Sequence, residues 1–159
     1  MIRRRKRNLA VLTAVLLLCL LAGCTSGRGT TTTEEFEKAC QNDGLAVTLN
    51  ADPASIPFPE GLTDCATAEH NSESILVRYL VYSDGEAAAK AYASFVEDAD
   101  PGNMGTMYQN VLKHYTVTVA QADSYYTKLI LSGTQILTAK GPTMYKSELD
   151  RIILKLGYQ

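Results

Sequence analysis

The chain is poor in the residue types and motifs that enzymes most often use. Its 159 residues include only two histidines and four cysteines. It contains no Gly-x-Ser-x-Gly elbow, no phosphate-binding glycine-rich loop and no His-Glu-x-x-His pair. These absences argue against an enzyme without excluding one, because carboxylates are plentiful and two of them could converge in the folded protein. The sequence therefore identifies no catalytic residue and no cofactor.

The two histidines do not indicate a metal centre. A zinc site needs further His or Cys ligands at defined spacing. His70 lies in the polar segment Glu69-His70-Asn71, which is typical of a solvated loop, and His114 precedes a predicted strand. We expect surface or structural roles for both.

An acidic segment over residues 97–103 invites comparison with calcium-binding loops. In the EF-hand pattern Gly102 would fall at a ligand position, and Gln109 would stand where the closing Glu belongs. A weak cation site remains an alternative there, but the sequence favours a solvated loop and no metal.

No hydrophobic run is long enough to cross a bilayer, which takes about 20 residues of helix. The longest run spans residues 9–21 and follows a basic cluster over residues 3–7. This arrangement is typical of a secretory signal peptide, which we predict over residues 1–23. An uncleaved signal anchor is the alternative.

The end of this leader, Leu21-Ala22-Gly23-Cys24, resembles the lipobox of bacterial lipoproteins. The resemblance implies cleavage before Cys24, attachment of diacylglycerol to its thiol and acylation, for instance by palmitate, of the new amino terminus. Two or three acyl chains anchor a protein stably where one does not. We therefore expect a lipid anchor at Cys24, on the extracytoplasmic side of the cell membrane.

The charge of the mature protein differs from that of the whole chain. Removing residues 1–23 takes away five basic residues and no acid, which leaves 10 basic and 17 acidic residues and a net charge of −7. Such a domain is a poor candidate for nucleic-acid binding. Residues 24–32 are small and polar and predict a flexible tether. Residues 33–159 suffice for one domain.

Two cysteines remain after the predicted processing, Cys40 and Cys65. Exported proteins meet an oxidising compartment, and an even pair there favours a disulfide. We predict a structural Cys40–Cys65 bond, with two free thiols or a redox pair as the alternatives.

Hydrophobic patterning predicts an α+β fold. Thr32 and Glu35 form a capping box ahead of the first helix, residues 45–49 alternate as a strand, and residues 51–64 carry three prolines and predict a loop. Residues 74–82 are apolar on both faces apart from Arg78, which indicates a central strand. The remaining predicted elements are a helix from residue 83, strands at 115–119, 125–131 and 134–139, and a final helix ending at Gly157. The predicted order is α-β-β-α-β-β-β-α, an antiparallel sheet of four to five strands with helices on one face.

This pattern of core and caps is similar to a group of small lipoproteins from Firmicutes. The features that carry the resemblance are the opening Thr-Glu-Glu-Phe helix, Ala-x-x-x-Tyr over residues 88–92 and the closing segment 149–158. The resemblance implies the fold and the location and transfers no site.

Three tyrosines are candidates for a binding surface. Tyr115, Tyr125 and Tyr126 lie on or near predicted strands, and neighbours on a strand point to opposite faces. One of Tyr125 and Tyr126 should therefore face away from the core, where tyrosine suits recognition. The alternative is that these are ordinary strand aromatics.

Two functions from different classes follow. The first is a membrane-anchored, non-enzymatic binding or protein-interaction module of the cell envelope, whose partner is an envelope protein or polymer at an exposed tyrosine face. The second is a small-ligand carrier or cell-envelope hydrolase with a pocket between sheet and helices. A purely structural role is compatible with both sets of observations.

Overall fold

A computed structural model describes residues 30–70 and 74–159. Within these ranges the chain forms one seven-stranded sheet and three α-helices. The elements in chain order are α1 Thr33–Gln41, β1 Ala46–Leu49, β2 Leu62–His70, β3 Ile75–Tyr82, α2 Gly85–Ala99, β4 Gly105–Val111, β5 Thr116–Ala122, β6 Tyr125–Ser132, β7 Gln135–Pro142 and α3 Lys146–Lys155.

The sheet is antiparallel throughout, with the strand order β1-β2-β3-β7-β6-β5-β4. The predicted α+β class and antiparallel sheet are confirmed. The predicted strand number and element order are wrong, because β2 and β4 were not recognised. Strand β3 is internal, between β2 and β7, as its apolar composition predicts.

The two missed strands have weak sequence signals for different reasons. Strand β2 is rich in Ala and Thr and follows a proline-rich stretch, so the sequence predicts a loop for its first residues. Strand β4 shows no alternation because every one of its residues is exposed. A strand without a buried face has no hydrophobic period to detect.

The helices lie on both faces of the sheet, which corrects the prediction that they gather on one. Helices α1 and α3 pack on one face, where Phe36 and Ile152 join Tyr79 and Ile130 in a common core. Helix α2 packs on the other face, where Phe95 and Leu80 belong to a second core. Leu80 directly follows Tyr79 in the sequence. Because neighbouring residues of a strand alternate between faces, the sheet separates two distinct cores.

Among the described residues, Thr31 is already part of the folded domain, since it is buried although it lies in the predicted tether. Its backbone N–H donates to the Gln135 side chain at 2.9 Å, and its carbonyl accepts from Gln135 and from the Tyr79 hydroxyl, each at 3.0 Å. Thr32 then caps α1 through the predicted capping box with Glu35. Residues 31 and 32 are therefore part of the domain and not of a flexible linker.

The predicted Cys40–Cys65 disulfide is not formed. Both thiols are free and buried, Cys40 in the core under α1 and α3 and Cys65 in the core under α2. A disulfide needs Cβ atoms about 3.5–4.5 Å apart, and here the sheet lies between them. The Cys65 thiol instead donates to the carbonyl of Ala51 at 2.9 Å.

Candidate functional site

The sheet face under α2 is apolar at one end and polar at the other. Helix α2 covers the apolar end, where Leu80, Leu129 and Ile136 are buried. Two residues further along the same strands, the side chains of the same face are Arg78 on β3, Thr127 on β6 and Thr138 on β7. Register brings them together, because Arg78 lies opposite Thr138 and Thr127 lies opposite Lys140.

A cavity of about 160 Å³ lies over this polar end, between the sheet and the last turn of α2. We call it the sheet cavity. Its lining combines two cations, one carboxylate and three hydroxyls with an apolar part of similar extent. The lining residues are Pro57, Arg78, Phe95, Asp98, Ala99, Tyr125, Thr127, Leu129, Thr138 and Lys140.

The guanidinium of Arg78 is the most unusual group in the sheet cavity. Its Nε is buried and has no hydrogen-bond partner. Burial lowers the pKa of Arg78 below its ordinary value, and the charge of Glu69 offsets part of this effect. Within residues 30–70 and 74–159 no carboxylate lies at ion-pair distance from it. Arg78 as a whole is half-buried, and a buried guanidinium N–H normally has an acceptor, so a ligand with a negative group would suit this position.

Thr138 presents a second unsatisfied group beside Arg78. The side chain is only 3% exposed, and its Oγ1 has no hydrogen-bond partner. Thr118 is equally buried on β5, but its hydroxyl hydrogen-bonds the Tyr92 hydroxyl at 2.8 Å and accepts from Gln109 at 3.0 Å. Most buried hydroxyls in proteins have hydrogen-bond partners, as that of Thr118 does. The contrast makes the floor of the sheet cavity a candidate for contact with a ligand.

The remaining charged groups of the cavity also lack ion pairs with described residues. They are Lys140 on β7 and Asp98 in the last turn of α2. Two cations against one carboxylate favour a ligand with a negative group, which Arg78 and Lys140 would bind. Asp98 can accept from a hydroxyl or ammonium group of the same ligand.

A proline-rich loop over residues 51–61 forms one wall of the sheet cavity through Pro57. The next residue, Phe58, has a φ of 58°, a conformation that costs a bulky residue about 1–3 kcal/mol. The rings of Phe58 and Phe95 pack edge-on, with their centroids 4.9 Å apart. The backbone carbonyl of Phe58 accepts a hydrogen bond from the Tyr82 hydroxyl at 3.2 Å. Strain of this kind is concentrated at functional sites.

At Gly61 the backbone of the same loop approaches α2 closely. Its φ is +80°, and a Cβ at this position would stand 2.9 Å from the Cβ of Ala87. Glycine is therefore required for both the backbone conformation and the close approach.

A larger groove of about 460 Å³ runs on the outer side of the same loop, between Phe58 and α2. Its two charged residues, Glu60 and Lys90, form an exposed ion pair with each other at 3.1 Å. The groove thus contains no unsatisfied charge, and the sheet cavity is the better candidate.

Two of the three tyrosines considered for a binding surface are buried, so the three form no common surface. Tyr115 and Tyr126 are buried in the core under α1 and α3, because their rings supply packing and their hydroxyls have partners. Tyr126 donates to Asp150 at 2.6 Å, and Tyr115 hydrogen-bonds the backbone of Gln159. Tyr125, on the opposite face, is 41% exposed and lines the sheet cavity.

The residues considered for metal binding do not come together. His114 is exposed in the turn before β5, and the Asp100 carboxylate accepts from the backbone N–H of Gly102 at 2.9 Å. His70 ends β2. In the part of the chain that the structure describes, no three His, Cys, Asp or Glu side chains form a group suited to a metal ion.

The described helices include none with the length and apolarity to cross a membrane. The predicted signal peptide and Cys24 lie outside the described residues, so the lipid anchor stays a prediction.

Comparison with known proteins assigns no family. No protein-family model and no curated protein matches the chain. Among solved structures, a GTP binding regulator from Thermotoga maritima matches with a TM-score of 0.49 and 10% sequence identity, over 84% of this chain and 93% of that chain. A likeness at this level transfers no function. The resemblance to Firmicutes lipoproteins also stays a prediction.

Proposed function

We propose that this protein is a lipid-anchored extracytoplasmic binding protein whose domain holds a small ligand with a carboxylate or phosphate group in the sheet cavity. The observation that carries the proposal is the pair of buried, unpartnered polar atoms on the cavity floor, Arg78 Nε and Thr138 Oγ1. Leaving such atoms unsatisfied costs about 1–3 kcal/mol each. A bound anion would supply both partners.

The local charge of the cavity supports an anionic ligand despite the acidity of the whole domain. Residues 24–159 carry a net charge of −7, which repels anions at long range. Arg78 and Lys140 reverse the sign locally, and their partial burial strengthens their attraction for a negative group. The domain would therefore select a ligand by direct contact and not by steering.

The anchor part of the proposal rests on the lipobox pattern around Cys24. Intact-mass measurement of the protein from its native membrane tests it: we expect a chain that starts at Cys24 and carries the added mass of diacylglycerol and an acyl group. A chain that still begins at Met1 would contradict it.

Binding is tested on the domain from residue 25, which retains every described residue. Thermal unfolding is followed with acetate, phosphate or glutamate, and chloride at equal ionic strength serves as the reference. A ligand that binds only the folded state raises the unfolding temperature in a saturable way. We expect this response from at least one probe and its loss in Arg78→Gln.

Arg151→Gln is the matched control, because Arg151 pairs with Asp43 on the outer side of α3 at 2.9 Å. This variant should keep the ligand response of the parent protein. An equal response of Arg78→Gln and the parent protein, or no response to any probe, would contradict the cavity as a site for anions of this class.

A further inference from the structure

Strand β4 is an unprotected edge of the sheet. All seven residues from Gly105 to Val111 are exposed, and β4 is the last strand in the order. Of ten exposed large hydrophobic side chains in the described residues, five lie in or beside this strand, so the exposure is concentrated there. They are Met104, Met107, Tyr108, Val111 and Leu112.

We propose that β4 pairs antiparallel with β4 of a second copy of this chain, so that the sheet continues across a two-fold axis. An edge strand presents a row of unpaired backbone N–H and C=O groups, which another strand can satisfy. This interface is separate from the sheet cavity and does not depend on its ligand.

The two edges of the sheet differ in how they are protected. Natural edges are blocked by shortness, charged side chains, proline or covering elements. The opposite edge, β1, has only four residues. Strand β4 has seven residues, and neither a charge nor a proline lies within it. A monomer that leaves such an edge open invites uncontrolled association, whereas a closed dimer removes the edge.

The sequence around β4 is self-complementary, which identifies the partner as a second copy. Antiparallel pairing centred on Tyr108 places Gly105 opposite Val111 of the other chain, so no charges meet within the strand. Outside the strand, Lys113 follows Val111 by two residues and Asp100 of the partner chain precedes its Gly105 by five, so charges of opposite sign flank the paired strands. Each dimer would contain this attraction twice, and opposite charges across an interface fix register and partner choice.

Apolar burial would add to the backbone pairing. Tyr108 is 56% exposed and Val111 is 79% exposed, and both would be covered by the partner strand. Aromatic and β-branched cross-strand pairs stabilise antiparallel sheets. The contact is small for a permanent dimer, so we expect a dissociation constant in the micromolar range.

Sedimentation velocity of the domain from residue 25, over a micromolar concentration series, measures this equilibrium. We expect reversible dimerisation. Tyr108→Lys should raise the dissociation constant at least about tenfold, because the two-fold axis brings the two lysines face to face. Met144→Lys is the control, since Met144 is an equally apolar and 79% exposed side chain that lies outside β4; it should leave the constant unchanged.

Hydrogen exchange distinguishes strand pairing from another mode of association. The amides of residues 105–111 that point away from β5 should become protected as the concentration rises, while those of β1 should not. A monomer at all concentrations would overturn the proposal. A dimer whose β4 amides stay unprotected, or that Tyr108→Lys and Met144→Lys weaken equally, would overturn it as well.

Discussion

Asp150 joins α3 to β6 through Tyr126 and Lys128, and it also pairs with Lys146 of its own helix. Its carboxylate accepts from the Tyr126 hydroxyl at 2.6 Å, from Lys146 at 2.9 Å and from Lys128 at 3.1 Å. Burial by itself would raise the pKa of the Asp150 carboxyl. The hydrogen bonds from Tyr126, Lys146 and Lys128 outweigh that effect and hold the pKa below its ordinary value.

The depressed pKa of Asp150 predicts a pH-dependent contribution to stability. A carboxyl whose pKa is lower in the folded state stabilises the fold above its ordinary pKa of 3.8, and the contribution is lost as the pH falls through the lower, folded-state value. Asp150→Asn should lower the free energy of unfolding by about 1–3 kcal/mol at neutral pH. The difference from the parent should shrink below pH 3.8, as urea unfolding at several pH values would show.

Asp123→Asn is the control for this series, because Asp123 is exposed in the turn between β5 and β6. It should change stability little at any pH. If the difference in free energy of unfolding between Asp150→Asn and the parent protein stayed constant down to pH 2, the role given to the carboxylate would be contradicted.

Two threonines on the same sheet face should respond oppositely to the same substitution. Thr138→Val removes a hydroxyl that has no partner, so it should raise the free energy of unfolding by about 1 kcal/mol. Thr118→Val leaves the Tyr92 hydroxyl and Gln109 without their partner and should lower it by about 1–3 kcal/mol. Chemical denaturation measures both. If Thr138→Val destabilised the protein, its hydroxyl would have a partner in solution.

The sequence pattern indicates one residue of the candidate site, Arg78, but not the others. Arg78 stood out in the sequence as the one polar interruption of an apolar strand, and it lies on the cavity floor. Thr138 and Lys140 gave no such signal, since both residue types are common on strands. Their role depends on register, which opposes Thr138 to Arg78 and which local patterning does not determine.

At the scale of elements, the capping box of α1 is a local feature that the sequence predicts well. The Thr32 hydroxyl accepts from the Glu35 backbone at 3.2 Å, and the Glu35 carboxylate accepts from the Thr32 backbone at 3.0 Å. Thr32→Ala should lower the free energy of unfolding by about 1 kcal/mol. Thr32→Ser keeps the hydroxyl and should recover most of that loss in the same denaturation assay. Equal losses in both variants would show that the cap contributes nothing.

Elements with many buried apolar side chains are predictable from the sequence, and the others are not. Helix α3 has a periodic apolar stripe, and strands β5, β6 and β7 are rich in branched and aromatic residues. Strand β4 is exposed throughout and β2 is built largely from small residues, so neither pattern separates strand from loop. The side of the sheet on which α2 packs is set by tertiary packing, which the hydrophobic pattern of a single segment does not determine.

For the whole molecule, the two separate cores predict the behaviour of the thiols. Burial raises the pKa of Cys40 to about 12, and Cys40 and Cys65 lie on opposite sides of the sheet. In the domain from residue 25, without reductant, both thiols should resist alkylation while folded and both should react in denaturant. Intact mass counts the added groups. A denatured chain that takes up none would show a disulfide.

The burial of Thr31 has a consequence for how the protein would stand on a membrane. Seven peptide units separate Cys24 from Thr31, a reach of at most roughly 25 Å. Thr31 is held at Gln135, the first residue of β7, whereas Lys140 lies roughly 17 Å further along that strand. A headgroup quencher should therefore affect a fluorophore at residue 134 more than one at residue 123. The lipid anchor would hold the turn end of the β6–β7 hairpin near the bilayer. The sheet cavity would then face away from the membrane.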